Sequence, residues 1–115
     1  MTEAKPLVWL HDAVRTPPFS RAARVEAGFL LRRLQNGERI GMPASRPMPV
    51  IGRDSHELRI VDSDVTWRIL YHISFAAIVI LEVFEKKSRT TPKQVLESAR
   101  KRLRAYERLT TEDKS

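Results

Sequence analysis

The chain has no cysteine among its 115 residues, so disulfide bonds, thiolate chemistry and cysteine-ligated zinc are excluded. It also lacks a long apolar run, because the longest one, Phe75 to Leu81, is far shorter than the ~20 residues that a membrane-spanning helix requires. The first six residues carry an early acid and lack the apolar stretch of a secretory signal. We therefore expect a cytoplasmic protein that does not span a membrane.

Histidine and glycine are also scarce. The three histidines, His11, His56 and His72, do not have the spacing of a metal site. The four glycines form no phosphate-binding loop, and no nucleophile motif is present. The sequence therefore predicts no metal and no cofactor.

Positive charge is abundant and unevenly distributed. Lysine and arginine number 21 against 14 acids, a net charge of +7. Ten of these basic residues and only four acids lie between Lys86 and Ser115, which places +6 of the excess there. Such a concentration indicates a polyanionic partner, with nucleic acid as the leading class. A solvated basic helix is the alternative, and charge by itself does not separate the two.

Apolar patterning indicates one folded domain spanning residues 1–115. Pro6 to Leu10 has the length of a strand, and Thr16-Pro17-Pro18 then stops any regular element. The segment from Ser20 to Asn36 has apolar residues at helical spacing, and Gly37 follows as a stop signal. Gly28 interrupts this helix and weakens it by roughly 1 kcal/mol relative to alanine.

The second half of the chain changes to strand periodicity. Residues 37–52 contain three prolines and predict an ordered connection or an edge strand. Residues 56–61 and 67–73 alternate around the polar turn Asp62-Ser63-Asp64, which predicts a β-hairpin. Ala77 to Phe84 is apolar at nearly every position and predicts the central, most buried strand.

A C-terminal helix completes the predicted fold. Thr91 is expected as its N-cap and Pro92 as its first residue, and the helix runs to about Leu109. The order β-α-β-β-β-α predicts the α+β class, a small, mostly antiparallel sheet with helices packed on it.

The hairpin brings two arginines together. A loop centred on Ser63 and Asp64 pairs residues whose numbers sum to 127, so that Ile60 faces Trp67 and Leu58 faces Ile69. The same register sets Arg59 beside Arg68 on the opposite face. Like charges in this position are mildly unfavourable, and an anionic ligand would explain them. The alternative is that Glu57 and Glu82 neutralise the two arginines.

Further charged residues extend this cluster. By strand parity Glu82 and Lys86 share the face of Arg68, so we predict a catalytic set of Arg59, Arg68, Lys86 and Glu82. Lys87, Arg89 and Lys93 are predicted nucleic-acid phosphate contacts, unless they are a solvated loop and helix start. His72 and Glu57 are the remaining acid-base candidates, whereas His56 and Tyr71 have core-facing parity.

Several short segments, taken in order, resemble the phage-derived HigB-like toxins of the RelE/ParE toxin-antitoxin superfamily. The resemblance runs from about Trp9 to Tyr106. It is carried by Arg46-Pro47-Met48, Ile51-Gly52, Glu57-Leu58-Arg59, Trp67-Arg68-Ile69-Leu70-Tyr71, Phe84-Glu85-Lys86-Lys87 and Thr91-Pro92.

This resemblance implies a curved sheet with helices against it and a toxin that cuts mRNA on the ribosome. It implies that Arg68 lies at the scissile phosphate, with Arg59 on the neighbouring strand and Lys86 and Lys87 at the functional end of the last strand. It further implies a helix-turn-helix antitoxin as partner. The His-Tyr ending of some relatives is absent here. In such a reaction the RNA 2′-hydroxyl is the nucleophile.

Two other functions fit the same sequence. A ParE-like toxin of the same fold would bind DNA gyrase and cut nothing, with DNA damage and filamentation instead of cleaved transcripts. A simple nucleic-acid-binding module would bind RNA or DNA in a strongly salt-dependent way without cleavage.

Overall fold

A computed structural model describes residues 4–10, 19–87 and 89–113, with side chains described as far as residue 110. The predicted stop at Thr16-Pro17-Pro18 and His11 lie outside these residues. The described chain forms seven elements: β1 (Leu7–Trp9), α1 (Arg21–Gln35), β2 (Ser45–Pro47), β3 (Ser55–Asp62), β4 (Val65–Ile73), β5 (Ile78–Glu85) and α2 (Lys93–Asp113). The predicted α+β class is confirmed, with β2 as an additional short strand.

The five strands form one sheet in the order β1-β5-β4-β3-β2. The neighbours are antiparallel except for β1 and β5, which run parallel. The run predicted as the central strand, β5, is deeply buried, but the middle position belongs to β4. This difference arises because the proline-containing segment adds β2 to the outer edge of β3.

Helix α1 has the ends that its sequence predicts. The Ser20 side chain accepts a hydrogen bond from the Ala23 backbone N at 3.1 Å. Asn36 closes the helix, and Gly37 follows with a φ of +90°, which favours glycine. The predicted apolar positions are the buried ones: Ala23, Ala27, Leu30, Leu31 and Leu34.

Helix α2 begins one residue later than predicted. The Pro92 carbonyl accepts hydrogen bonds from the Val95 and Leu96 backbone N atoms at 3.0 and 3.2 Å, so Pro92 precedes the helix. Pro92 therefore has the N-cap position and the prediction of Thr91 as N-cap is wrong; the Thr91 hydroxyl instead donates to Glu57 Oε2 at 3.4 Å. The helix also continues to Asp113 instead of ending near Leu109. The segment before α2 is thus held against the sheet.

The helices pack on opposite faces of the sheet. On the α1 face, β3 and β4 contribute buried Leu58, Ile60, Trp67 and Ile69. On the α2 face, Leu70 packs with Leu81 and Leu103. The apolar cluster on this second face ends at Leu70 along β4, and the next residue of β4 on the same face is Arg68. In the described part of the chain, no helix is both long and apolar enough to cross a bilayer.

A cationic groove as the candidate functional site

The β3–β4 hairpin has the predicted register. Its loop is Ser63-Asp64, and Ser63 adopts a φ of +53°. Leu58 pairs with Ile69, Ile60 with Trp67, and Arg59 with Arg68. The two arginines therefore lie side by side on the α2 face, at the end of the sheet that the apolar cluster leaves uncovered.

Two adjoining cavities surround this arginine pair. The first has a volume of about 220 Å³ and is lined by Met42, Pro43, Arg46, Glu57, Arg59, Arg68 and Lys86. The second, of about 460 Å³, is lined by Thr66, Arg68, Lys86, Lys87 and Arg89. Because Arg68 and Lys86 line both cavities, we treat the two as one cationic groove. Among the described residues that line it, six are basic and one is acidic.

The acidic residue, Glu57, is almost fully buried, with 2% of its surface exposed. Its Oε1 lies 3.1 Å from Arg46 Nε and 3.7 Å from Arg68 Nε. Its other carboxylate oxygen accepts the Thr91 hydroxyl. Glu57 therefore links β2, β4 and the segment before α2, and it fixes the arginines in place. The first cavity still has four cationic side chains against this one carboxylate, so it favours an anion.

Arg68 is the most constrained cation of the groove. Its side chain is only 15% exposed, and its Nε is buried without a hydrogen bond, since 3.7 Å to Glu57 exceeds hydrogen-bonding distance. Burial lowers the pKa of Arg68, Glu57 opposes this, and Arg59 and Arg46 lower it further. A buried charged donor without a hydrogen bond is costly and calls for an explanation. The Glu57 carboxylate offsets part of this cost, and the part of the Arg68 side chain that stays exposed lines both cavities, where an anion would meet it.

Lys86 follows directly after β5, and its backbone N donates to the Thr66 carbonyl at 3.0 Å. Burial lowers the pKa of Lys86, Glu57 opposes this, and the nearby Arg68, Arg46 and Arg59 lower it further. A lysine with a lowered pKa exchanges protons more readily near neutral pH than a fully solvated one. Its position at the junction of the two cavities makes Lys86 a candidate proton-transfer group.

Glu82 lies elsewhere on the same face. In the β4–β5 register Arg68 pairs with Phe84, whereas Glu82 pairs with Leu70. The Glu82 carboxylate forms an ion pair with Arg102 of α2, and Arg102 also donates to the Leu81 carbonyl at 2.9 Å. Glu82 does not line either cavity of the groove. This arrangement favours a role in holding α2 on β5, and a catalytic role for Glu82 stays an untested prediction.

The other candidates divide between the groove and the rest of the molecule. Lys87 and Arg89 line the second cavity, whereas Lys93 begins α2 and lines neither. His72 is buried, its Nδ1 lies 3.4 Å from the Ser55 hydroxyl, and burial lowers its pKa. His56 stacks on Tyr71 on the α1 face, in agreement with the parity prediction.

Sequence reasoning missed Arg46 as a site residue. Arg46 belongs to β2, where it pairs with Glu57 of β3 across the ladder. The signal was the segment Arg46-Pro47-Met48 itself, but its face can be assigned only once β2 is known to be a strand. In the described residues, no group of three or more His, Asp or Glu side chains is arranged to hold a metal ion.

The architecture, a mostly antiparallel five-stranded sheet with two helices in the described residues, is compatible with a RelE-like fold. The sequence model of the phage derived protein Gp49-like family (DUF891) matches residues 18–104, in agreement with this fold. Since the match covers well over half of the chain, the protein belongs to this family, which is a family of RelE/ParE-like toxins. Membership implies an antitoxin partner. No curated protein matched the sequence.

Proposed function

We propose that the chain is a HigB-like toxin of a type II toxin-antitoxin system, acting as a ribosome-dependent mRNA endoribonuclease without a cofactor. Its partners in this proposal are the ribosome, mRNA and a helix-turn-helix antitoxin. The observation that supports it most is the cationic groove, where Arg59, Arg68 and Lys86 converge around one buried carboxylate.

The groove has the charge and shape for an RNA backbone. The first cavity holds the arginine pair, and the second continues past Lys86 to Lys87 and Arg89. A scissile phosphate seated between Arg59 and Arg68 leaves the neighbouring phosphate on the Lys87 side. Phosphate contacts of this kind position the strand, while sequence preference depends on the bases.

RNA carries its own nucleophile, since the 2′-hydroxyl is next to the phosphate it attacks. In our proposal Arg59 and Arg68 stabilise the charge that develops on the phosphoryl oxygens, which is commonly the largest contribution to catalysis. Lys86 donates a proton to the departing 5′ oxygen, and the 2′-hydroxyl proton is taken up by water. The products are a 2′,3′-cyclic phosphate and a 5′-hydroxyl. Glu57 is buried and positions Arg68.

The test is cleavage of a defined mRNA in a reconstituted translation reaction. We expect Arg68→Ala to lower the cleavage rate by roughly 100-fold or more, the typical loss when one preorganised donor to a developing oxyanion is removed. Arg104→Ala, an exposed arginine of α2 outside the groove, is the matched control and should cleave at the wild-type rate. Circular dichroism checks that both variants are folded.

Two results contradict the proposal. An Arg68→Ala variant that cleaves normally would show that the groove is not the active site. Inhibition of purified DNA gyrase by the wild-type chain, with no cleavage of translated mRNA, would identify a ParE-like toxin instead.

A further inference from the structure

The solvent-facing side of α1 carries two large apolar residues. Val25 and Phe29 are one helical turn apart and are 67% and 62% exposed. The buried residues of α1 form the opposite side of the helix. Single exposed apolar residues are ordinary, but a pair at i, i+4 spacing forms a continuous apolar strip.

Gly28 lies beside this strip, and no contact inside the molecule requires a glycine at this position. A Cβ added at Gly28 would have no atom within 4 Å. Glycine in the middle of a helix is unfavourable compared with alanine. Since the surrounding fold does not require it, a close approach from outside the chain is a physical explanation for glycine here.

Positive charge borders the strip. Val25 and Phe29 are flanked along α1 by Arg21, Arg24, Arg32 and Arg33, against one acid, Glu26. The Arg33 guanidinium carbon is 5.9 Å from the centre of the Phe29 ring, within the range of a cation–π contact. We name Val25, Gly28, Phe29 and these four arginines the α1 outer face. An exposed aromatic bordered by arginines is the composition of an interface hot spot.

We propose that the α1 outer face is the docking surface for an acidic amphipathic helix of the antitoxin, an inference that rests on the proposed toxin function. Apolar residues of that helix cover Val25 and Phe29, its backbone approaches at Gly28, and its carboxylates pair with the arginines. A second copy of this chain fits less well, because a symmetric contact would oppose arginine to arginine. RNA is also a less suitable occupant, because aliphatic Val25 offers it neither charge nor a stacking surface.

This surface and the cationic groove are on opposite layers of the molecule. Helix α1 covers one face of the sheet, and the groove opens on the other. Loss of antitoxin docking is therefore separable from loss of toxicity.

The experiment uses the antitoxin recovered by selection, as the fragment of the source genome that restores growth to cells expressing the full chain. Its purified product is titrated by calorimetry into the wild-type chain and single variants. We expect Phe29→Ala to raise the Kd about tenfold or more, the effect of removing an interface anchor. Gly28→Ala should also raise the Kd while increasing the melting temperature, a combination that a purely structural glycine would not give.

Phe75→Ala is the matched control, since Phe75 is 95% exposed and lies in the β4–β5 turn. Its Kd should equal that of the wild type. A wild-type Kd for Phe29→Ala, or an equal loss for Phe75→Ala, overturns the docking inference and leaves the toxin function intact. If the wild-type chain arrests no growth, the proposed function itself fails and the docking inference fails with it. Dimers of the chain alone that Phe29→Ala dissociates would assign this face to self-association instead.

Discussion

The two faces of the sheet differ most along the β3–β4 hairpin, whose alternating residues point to opposite faces. On the α1 face, the hairpin contributes Leu58, Ile60 and Ile69, which are at most 1% exposed. On the other face, the alternating positions of these strands hold Glu57, Arg59 and Arg68. One stretch of backbone therefore supports a closed apolar core on one side and an open charged groove on the other.

This contrast shows how a small domain can concentrate like charges without losing its fold. Apolar burial on the α1 face stabilises the hairpin register, so the arginine pair does not need to contribute to stability. The α2 face contributes apolar packing from Leu70 onward, toward the other end of the strand. Stability and charge are thus divided between neighbouring residues of a single strand.

The largest expected effect separates two residues adjacent in sequence. Ile69→Ala should lower the free energy of unfolding by about 2–5 kcal/mol, because it opens a cavity in the α1-side core. Arg68→Ala should lower it by only about 1 kcal/mol, because Arg46 still pairs with the Glu57 carboxylate, while lowering the cleavage rate by roughly 100-fold or more. Urea denaturation of both variants measures the difference. Equal destabilisation by the two substitutions would mean that the faces are not divided in this way.

Glu57 is the buried carboxylate that holds the arginines of the charged face in place. Glu57→Gln should lower the free energy of unfolding by about 1.5–3 kcal/mol, since it weakens hydrogen bonds and ion pairs made by a buried carboxylate. It should also lower the pKa of Lys86, because the Glu57 charge raises that pKa. Denaturation and an NMR titration of the Lys86 side chain measure the two effects. Glu85→Gln, at the exposed end of β5, is the control, and a matching loss there would remove the special role of Glu57.

Each face of the sheet holds a histidine that should make the fold less stable in acid. Burial lowers the pKa of His56 on the α1 side and of His72 on the α2 side from the ordinary value of 6.5. The unfolded chain therefore binds protons more readily, and stability should decline as pH falls below about 6.5 until each folded-state pKa is passed. Denaturation between pH 7.5 and about 5 tests this, with His56→Gln and His72→Gln each reducing the slope. A slope that neither variant changes would assign the effect to other groups.

The smallest expected effect concerns Glu82. Glu82→Gln should cost about 1 kcal/mol or less, because its ion pair with Arg102 is partly exposed. Cleavage should stay within about threefold of the wild type, since Glu82 does not line the groove. Arg102→Gln should have a similar effect on stability. A loss of activity confined to Glu82→Gln would restore this residue as an acid-base catalyst.

The hairpin and α1 were predictable because local signals fix them. A short polar turn and matched apolar pairs leave one register for Arg59 and Arg68, and helical spacing of apolar residues with a glycine stop locates the helix. Strand parity likewise placed Lys86 on the correct face. These parts of the groove follow from residues close together in sequence.

Other parts depend on contacts that sequence spacing does not reveal. Threonine is a common N-cap residue, yet the hydroxyl of Thr91 donates its hydrogen bond to Glu57, which is 34 residues away. The β4–β5 register shifts at a bulge between Leu70 and Tyr71. As a result Leu81 and Phe84 share the α2-side cluster, although strict alternation would separate them. No turn signal fixed this register, so the prediction that Glu82 lies near Arg68 had no local support.

One carboxylate beside the hairpin turn connects the start of α1 with the strand that carries Arg68. Asp62 accepts a hydrogen bond from the Ser20 backbone N at 2.9 Å and another from Trp67 Nε1 at 3.2 Å. The pKa of Asp62 is lowered most by the Ser20 hydroxyl and further by these two hydrogen bonds. The first residues of α1 are thereby fastened to the strand that carries Arg68. The position of the start of α1 is therefore coupled to that of the hairpin through a single side chain.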